Sequence, residues 1–178
     1  MSLKHVPFLL SVFLIAQTIT LATARETTHQ WEGTVFADVE GIPPEKVWPF
    51  IGDFCNVYRV FPINVSFCDR GDPENIVVGN RRFMIFLNGT NVQWEKHHLV
   101  EFNPAKRFLT YRMMENNIKV SYYRSTMTVL KDKKNGSKIR WKWIANPVQG
   151  YTPQSMQAQL QFIVQFAAGN IIRLSGSS

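Results

Sequence analysis

The stretch that decides the fold is VVGNRRFMIFLNGTNVQWEKHHL, residues 77–99. Asn88-Gly89 in its middle is a dipeptide that accepts the positive φ angles of a tight hairpin turn, and residues of high strand propensity lie on both sides of it. We therefore expect two antiparallel strands joined by a turn, over residues 77–87 and 92–101.

Chemically different side chains share one face of this predicted hairpin, because successive residues of a strand point to opposite faces. That face carries Arg82, Met84 and Phe86 on the first strand and Gln93, Glu95, His97 and Leu99 on the second. A guanidinium, a carboxylate and an imidazole among apolar groups suit acid–base chemistry or ligand recognition. We therefore expect the functional site on this face.

Five further segments have the composition of strands, and turn residues separate them. Gly71-Asp72-Pro73, Asn103-Pro104, Asn116-Asn117 and Asn135-Gly136 supply the turn chemistry. Connections this short favour antiparallel neighbours, since parallel strands need long crossovers. The five segments are residues 29–40, 65–69, 107–114, 118–131 and 137–146, which makes a sheet of seven strands.

Helices are predicted at two places outside the run of strands. Pro43 and Pro44 suit the first turn of a short helix, and a second helical turn follows over residues 55–60. Thr152-Pro153 begins a long helix, with an N-cap residue followed by proline at the first helical position. The apolar stripe of this helix consists of Met156, Leu160, Ile163, Ala167, Ile171 and Leu174.

The order of these elements predicts an α+β fold. Its most economical form is a curved, seven-stranded antiparallel sheet wrapped around the long C-terminal helix, with the two short helices closing one end. A curved sheet and a straight helix leave space between them, so we expect an internal ligand pocket. Six aromatic residues on the strands either pack in the core or line this pocket: Trp94, Tyr111, Tyr122, Tyr123, Trp141 and Trp143.

Residues 1–24 have the features of a secretory signal peptide. Lys4 supplies a positive n-region, residues 6–16 are almost wholly apolar, and Ala22-Thr23-Ala24 fits the small-x-small cleavage rule. An uncleaved membrane anchor is the alternative, but the apolar core is shorter than the roughly 20 residues of a spanning helix. We expect cleavage after Ala24, a single domain over residues 25–178, no stable membrane insertion, and delivery to the apoplast or the vacuole.

The secretory route bears on the cysteines and on three sequons. Cys55 and Cys68 either form a disulfide or remain two buried thiols, because the sequence does not show how closely their Cα atoms approach. N-glycosylation sequons begin at Asn64, Asn88 and Asn135. The sequons and the signal peptide together predict a secreted glycoprotein.

The chain has a formal net charge of +7, and many of its basic residues surround one predicted turn. They are Lys131, Lys133, Lys134, Lys138, Arg140 and Lys142. This cluster is either a solvated hairpin tip or a contact for anionic surfaces. No nucleic-acid motif or phosphate loop accompanies it, and His97-His98 point to opposite faces of a strand. We therefore expect no nucleic-acid partner, no metal, no cofactor, and a monomer.

Several motifs occur in an order that resembles a known family. They are Trp31-x-Gly33, the helix Pro44–Phe54 that ends in Asp53-Phe54, Val78-Gly79-x-x-Arg82, Trp94-x-x-x-x-Leu99, Ser125-Thr126-Met127 and Trp141. Together they resemble the plant lachrymatory factor synthase-like proteins of the polyketide cyclase/dehydrase, START-like superfamily, which includes the birch-pollen-allergen fold. The resemblance covers residues 30–172 and implies a helix-grip fold that binds a small apolar or amphipathic plant metabolite.

The resemblance also implies which residues act. Lachrymatory factor synthase rearranges a small alkenyl sulfenic acid with a pocket arginine, which matches Arg82, and a pocket glutamate, which matches His97. We expect Arg82 to hold an anionic oxygen, while His97 or Glu95 moves a proton. Tyr123 matches a pocket tyrosine of the family, and we expect it to donate a hydrogen bond. An ordinary buried histidine without a catalytic role is the alternative for His97.

The expected function is that of a cofactor-free isomerase or cyclase acting by acid–base catalysis. A non-catalytic carrier of an apolar ligand, or a defence-related binding protein, is the alternative, because this fold does not fix function. In both cases the expected ligand-binding residues are Met84, Phe86, Leu99, Tyr111, Ser125, Trp141, Trp143, Leu160 and Ile163.

Overall fold

A computed structural model describes residues 30–69, 76–88, 91–133 and 135–176, with the backbone alone for residues 86–88. The predicted signal peptide and the turn at residues 89–90 lie outside the described residues. Within the described ranges, no helix is both long enough and apolar enough to cross a membrane.

Seven antiparallel strands form one sheet in the order β1-β7-β6-β5-β4-β3-β2. They are β1 (Trp31–Val39), β2 (Asn64–Asp69), β3 (Arg81–Asn88), β4 (Asn91–Asn103), β5 (Phe108–Asn116), β6 (Tyr123–Lys131) and β7 (Ser137–Ala145). Strands β2 to β7 each pair with their neighbours in sequence, and β1 closes the order beside β7. The predicted α+β helix-grip fold is confirmed.

In the part of the chain that the structure describes, two helices and one short 3-10 turn complete the fold. Helix α1 spans Pro44–Gly52, the 3-10 turn spans Val57–Arg59, and helix α2 spans Pro153–Ser175. Thr152 caps α2, because its side chain accepts a hydrogen bond from Ser155 N–H at 3.1 Å while Ser155 Oγ accepts one from Thr152 N–H at 2.8 Å. The long helix therefore begins where the sequence predicts.

Strand β3 begins later than its apolar residues suggest. Residues 77–80 form a tight turn in which Asn80 Oδ1 accepts a hydrogen bond from Val77 N–H at 2.8 Å. Gly79 takes a φ of +100°, which a residue with a Cβ rarely adopts. The strand predicted from residue 77 therefore starts only at Arg81.

Strand β6 likewise begins at Tyr123 and not at residue 118. The side chain of Asn116 accepts from Val120 N–H at 2.9 Å and donates to Val120 O at 2.8 Å, so it takes the place of a strand partner. Lys119 has a φ of +60° within this loop, which is incompatible with an extended strand.

The buried face of α2 differs in part from the predicted stripe. Leu160, Ala167 and Ile171 are buried as predicted, together with Val164 and Ala168. Three stripe residues, Met156, Ile163 and Leu174, are only partly buried. The first two line the space between helix and sheet, so an incomplete fill of that space explains their exposure.

Glutamines of α2 cover the free edge of β1. Gln157 Nε2 donates to Thr34 O and Gln161 Nε2 donates to Phe36 O, each at 2.7 Å. Gln157 Oε1 also accepts from Trp143 Nε1 at 3.0 Å. Since backbone groups of an edge strand invite pairing with another chain, these side chains protect the edge.

Cys55 and Cys68 form a disulfide that ties the segment after α1 to β2. Their Cα atoms are 5.6 Å apart, a normal span for this bond. The sequence left open whether these cysteines are paired, and the structure joins them. Asn64 and Asn135, the first residues of two sequons, are exposed.

Candidate functional site

A cavity of about 960 Å³ lies between the concave face of the sheet and helix α2. The four expected polar residues all lie on its wall: Arg82, Glu95, His97 and Tyr123. Five of the expected ligand-binding residues join them, namely Met84, Tyr111, Trp141, Leu160 and Ile163. The sheet therefore brings the polar groups and an apolar wall into one space.

Three other expected ligand-binding residues do not line the cavity, and each is fully buried: Leu99, Ser125 and Trp143. Ser125 accepts a hydrogen bond from Trp141 Nε1 and thus supports a wall residue from behind. Trp143 faces Gln157 of α2 instead of open space. The side chain of Phe86 lies outside the described part of the chain.

Arg82 is the buried cation of the site. It lies on β3 directly opposite His97 on β4, and it donates to Nδ1 of His97 from Nε at 3.4 Å and from Nη2 at 3.2 Å. Nη1 donates to Phe54 O at 3.0 Å. The guanidinium also lies 4.3 Å from the ring centre of Phe54 and 4.8 Å from that of Tyr111, both within cation–π range.

The positive charge of Arg82 is held away from water. Burial lowers the pKa of its guanidinium, while nearby Tyr111 and Glu95 oppose that shift. A guanidinium stays protonated in proteins. The guanidinium donates to a neutral carbonyl and to an imidazole, so the site favours a ligand that brings a negative charge.

The contact with Arg82 determines the protonation of His97. A guanidinium only donates hydrogen bonds, so Nδ1 of His97 must accept, and the proton of a neutral imidazole lies on Nε2. Nε2 lies 2.8 Å from Glu95 Oε2, a close contact that is poorly aligned for a hydrogen bond. Burial lowers the pKa of His97, and the charge of Arg82 acts in the same direction while Glu95 opposes it.

Glu95 is the more accessible member of this group. Its side chain is 12% exposed against 3% for His97, and it lies on the cavity wall. A neutral His97 can donate from Nε2 but offers no free lone pair, since Nδ1 already accepts from Arg82. The carboxylate of Glu95 is therefore better placed than the imidazole to receive a proton from a ligand.

Two tyrosines complete the polar end of the cavity. Tyr111 stacks on the ring of His97 with a centroid distance of 4.8 Å, and its ring centre lies 6.3 Å from that of Tyr123. Burial raises the pKa of the Tyr111 hydroxyl and raises that of Tyr123 well above its usual value. Both hydroxyls therefore stay protonated and can donate hydrogen bonds to a ligand.

Sequence reasoning missed the part that Phe54 plays. Its backbone carbonyl and its ring both contact the guanidinium of Arg82, although the two residues are 28 positions apart. Every residue has a backbone carbonyl, so the residue type at position 54 could not indicate that this carbonyl is an acceptor for Arg82. The central position of Tyr111, between Arg82, His97 and Tyr123, was likewise not predicted beyond a place on the wall.

The sequence profile of one family, described as polyketide cyclase/dehydrase and lipid transport, matches residues 19–173. The chain belongs to this family. Members of this family are expected to have a cavity for a small hydrophobic molecule, and the cavity between the sheet and α2 agrees with this expectation. A sequence comparison of this cyclase/dehydrase family member with the curated proteins finds no match.

Solved structures of other proteins have the same fold as this chain. The protein XoxI from Bacillus cereus is 20% identical and superposes with a TM-score of 0.59, over 80% of this chain and 94% of its own. An uncharacterised protein from Bacillus thuringiensis is also 20% identical, with a TM-score of 0.61 over 80% of this chain and 97% of its own. At this identity the similarity shows the fold alone.

Proposed function

We propose that the protein is a secreted, cofactor-free isomerase or cyclase that acts on a small amphipathic anion, as a lachrymatory factor synthase-like protein of plants. One observation carries the proposal: a buried guanidinium, an imidazole and a carboxylate form a continuous chain, Arg82–His97–Glu95, on the wall of a largely apolar cavity. Within the described part of the chain no carboxylate is hydrogen-bonded to Arg82, and burial of such a cation is costly unless a ligand supplies the anion.

In this proposal each polar residue has one task. Arg82 holds an oxygen that carries, or develops, negative charge, and the surrounding protein strengthens this attraction by excluding water. Glu95 removes a proton from the bound molecule and returns it to another atom, which completes an isomerisation without any cofactor. Tyr123 donates a hydrogen bond to the same ligand.

His97 has a supporting task. Its Nε2 lies 2.8 Å from Glu95 Oε2, and its Nδ1 accepts from Arg82, so the ring sets the distance between the cation and the base. The family glutamate whose position His97 occupies would thus be replaced by Glu95, two residues earlier on the same strand face.

The proposed compartment is the secretory pathway, with release into the apoplast or storage in the vacuole. The signal-peptide pattern of residues 1–24 and the three sequons support this location. The disulfide between Cys55 and Cys68 fits an oxidising compartment, because such bonds persist there and are rare in the cytosol. N-terminal sequencing of the protein secreted by plant cells should begin at Arg25.

Activity is tested with two small probes, an alkenyl sulfenic acid generated in situ and a 1,3-dicarbonyl compound, with products followed by mass spectrometry. We expect E95Q to lower kcat for the accepted probe by about a hundredfold, the usual worth of a general base. R82M should abolish turnover, while R81M serves as the matched control because Arg81 is exposed on the other face of β3. Full activity of both E95Q and R82M would refute the mechanism.

A carrier function is the second candidate, and the family description, which includes lipid transport, favours it. In that case the same groups orient a bound molecule without changing it. Mass spectrometry of small molecules extracted from protein purified from its native source separates the two. Recovery of one metabolite that is unchanged after incubation with fresh protein would support the carrier.

A further inference from the structure

We propose that the Cys55–Cys68 disulfide holds Arg82 in its anion-binding position, so that reduction of this bond weakens binding of anionic ligands selectively. The inference rests on the proposed function, because it assigns a redox-dependent control to the same cation. It concerns two residues that do not line the cavity.

The first observation is a row of paired residues across three strands. Cys68 on β2 is the direct partner of Arg82 on β3, and Arg82 is in turn the direct partner of His97 on β4. One end of the disulfide is therefore attached to the backbone immediately beside that of the arginine. A displacement of β2 at Cys68 would be transmitted through the hydrogen-bonded ladder to Arg82.

The second observation concerns the other end of the bond. Cys55 follows Phe54, whose carbonyl accepts from Arg82 Nη1 at 3.0 Å and whose ring centre lies 4.3 Å from the guanidinium. The disulfide thus joins Cys55, which is next to the acceptor Phe54, to Cys68, which lies opposite the donor Arg82. The covalent ring that it closes contains residues 55–68, so Phe54 adjoins one end of the ring and Arg82 pairs with the other end.

The chain around Phe54 is short and irregular. Helix α1 ends at Gly52 and the 3-10 turn begins at Val57, and residues 53–56 are shaped by a local bond from Asn56 N–H to Asp53 Oδ1 at 3.2 Å. Such local bonds shape the turn but do not fix its distance from the sheet. The disulfide ties this segment to β2, so it limits how far Phe54 can move from Arg82.

Reduction can begin at Cys68. Cys55 is 3% exposed, whereas Cys68 is partly exposed on β2. A thiolate of a dithiol attacks Sγ of Cys68, and Cys55 leaves as a thiolate. The second thiol of the reagent then displaces Cys68 and closes the cyclic disulfide of the reagent, so two electrons pass from the dithiol to the protein.

The test measures decanoate and decan-1-ol binding to the whole chain by calorimetry, before and after treatment with dithiothreitol. The two probes share one apolar tail, and only decanoate needs the cation. We expect reduction to weaken decanoate binding about tenfold, the order of one charge-assisted hydrogen bond, and to leave decan-1-ol binding unchanged. Free thiols are counted to confirm reduction, and circular dichroism confirms that the fold persists.

Two variants sharpen the result. The double variant C55S/C68S should bind decanoate as weakly as the reduced protein and should not respond to dithiothreitol. F54L keeps the backbone carbonyl but removes the ring, and it should weaken decanoate binding in the oxidised protein alone, because the reduced protein has already lost this contact.

The outcomes are distinct. If oxidised wild-type protein binds both probes equally, the proposed anion site is wrong. If it prefers decanoate and keeps the full preference after reduction, the anion site stands and the control by the disulfide is wrong. Equal weakening of both probes on reduction would also overturn the inference, since it would show a general structural role for the bond.

Discussion

Nη2 of Arg82 lies 3.2 Å from Nδ1 of His97, and this contact makes Nδ1 an acceptor and leaves the proton of a neutral imidazole on Nε2. The ring therefore lies between a fixed cation and the Glu95 carboxylate without carrying charge itself. Arg82 and His97 stand on neighbouring strands, and together with Glu95 they form one group of contacting side chains. It leads to predictions that do not need the natural ligand.

The first prediction concerns the tautomer of His97. In ¹⁵N-labelled protein at pH 7, long-range ¹H–¹⁵N spectra should show a protonated Nε2 and an unprotonated Nδ1 for this ring, because Arg82 can only donate to Nδ1. R82M should allow the other tautomer to appear. A proton on Nδ1 in the wild-type protein would contradict the hydrogen bond from Arg82 to His97.

The second prediction concerns stability at acidic pH. His97 has a pKa lowered by burial, so below its unfolded value near 6.5 the unfolded chain binds a proton that the folded chain does not. The free energy of unfolding should therefore fall as the pH drops below about 6.5. Urea titrations between pH 7 and pH 5 should show a shallower fall for H97Q.

The matched control for this measurement is H98Q. His98 is partly exposed, and its Nε2 lies 3.0 Å from Gly79 O on the other side of β4. The H98Q protein should retain the wild-type dependence on pH. If H97Q and wild type lose stability in parallel, protonation of His97 is not the cause.

The third prediction separates stability from function at Arg82. R82M removes a buried charge and three hydrogen bonds, and the gain in desolvation should offset the lost bonds, so the free energy of unfolding should stay within about 1 kcal/mol of wild type. The same change should abolish the preference for decanoate over decan-1-ol. A loss of more than about 3 kcal/mol would show that Arg82 serves the fold first.

The fourth prediction concerns the space beside β1. A Cβ at Gly33 would overlap the side chains of Gln157 and Trp143, so G33A should cost about 1–3 kcal/mol and displace the glutamine that covers the strand edge. G169A is the matched control, since a Cβ at that position in α2 meets nothing within 4 Å. It should stabilise the protein by about 0.5–1 kcal/mol, as measured by thermal unfolding.

Hydrophobic periodicity and turn residues were sufficient to predict seven strands, the long helix and the antiparallel order. They failed at the starts of β3 and β6, where the side chains of Asn80 and Asn116 bond to nearby backbone and shape a turn and a loop. Such local bonds compete with strand formation, and a pattern of apolar residues does not reveal them.

The sequence predicted which strand face carries the residues of the site, but it did not predict the register in which β3 and β4 pair. A turn centred on Asn88-Gly89 would place Arg82 opposite Glu95, whereas the structure pairs Asn88 with Asn91 and Arg82 with His97. A shift of two residues preserves the face of every side chain, so alternation still groups the same residues. It changes which of them touch, and only the structure decides that.

The cavity divides its wall between two parts of the chain, and this division bears on how such proteins can evolve. Arg82, His97 and Tyr111 stand on three neighbouring strands, whereas Leu160 and Ile163 come from α2. Substitutions along one helix can thus change the length or shape of the molecule admitted without moving the charged groups. Selection can therefore change which molecules enter the cavity while the charged groups on the sheet stay the same.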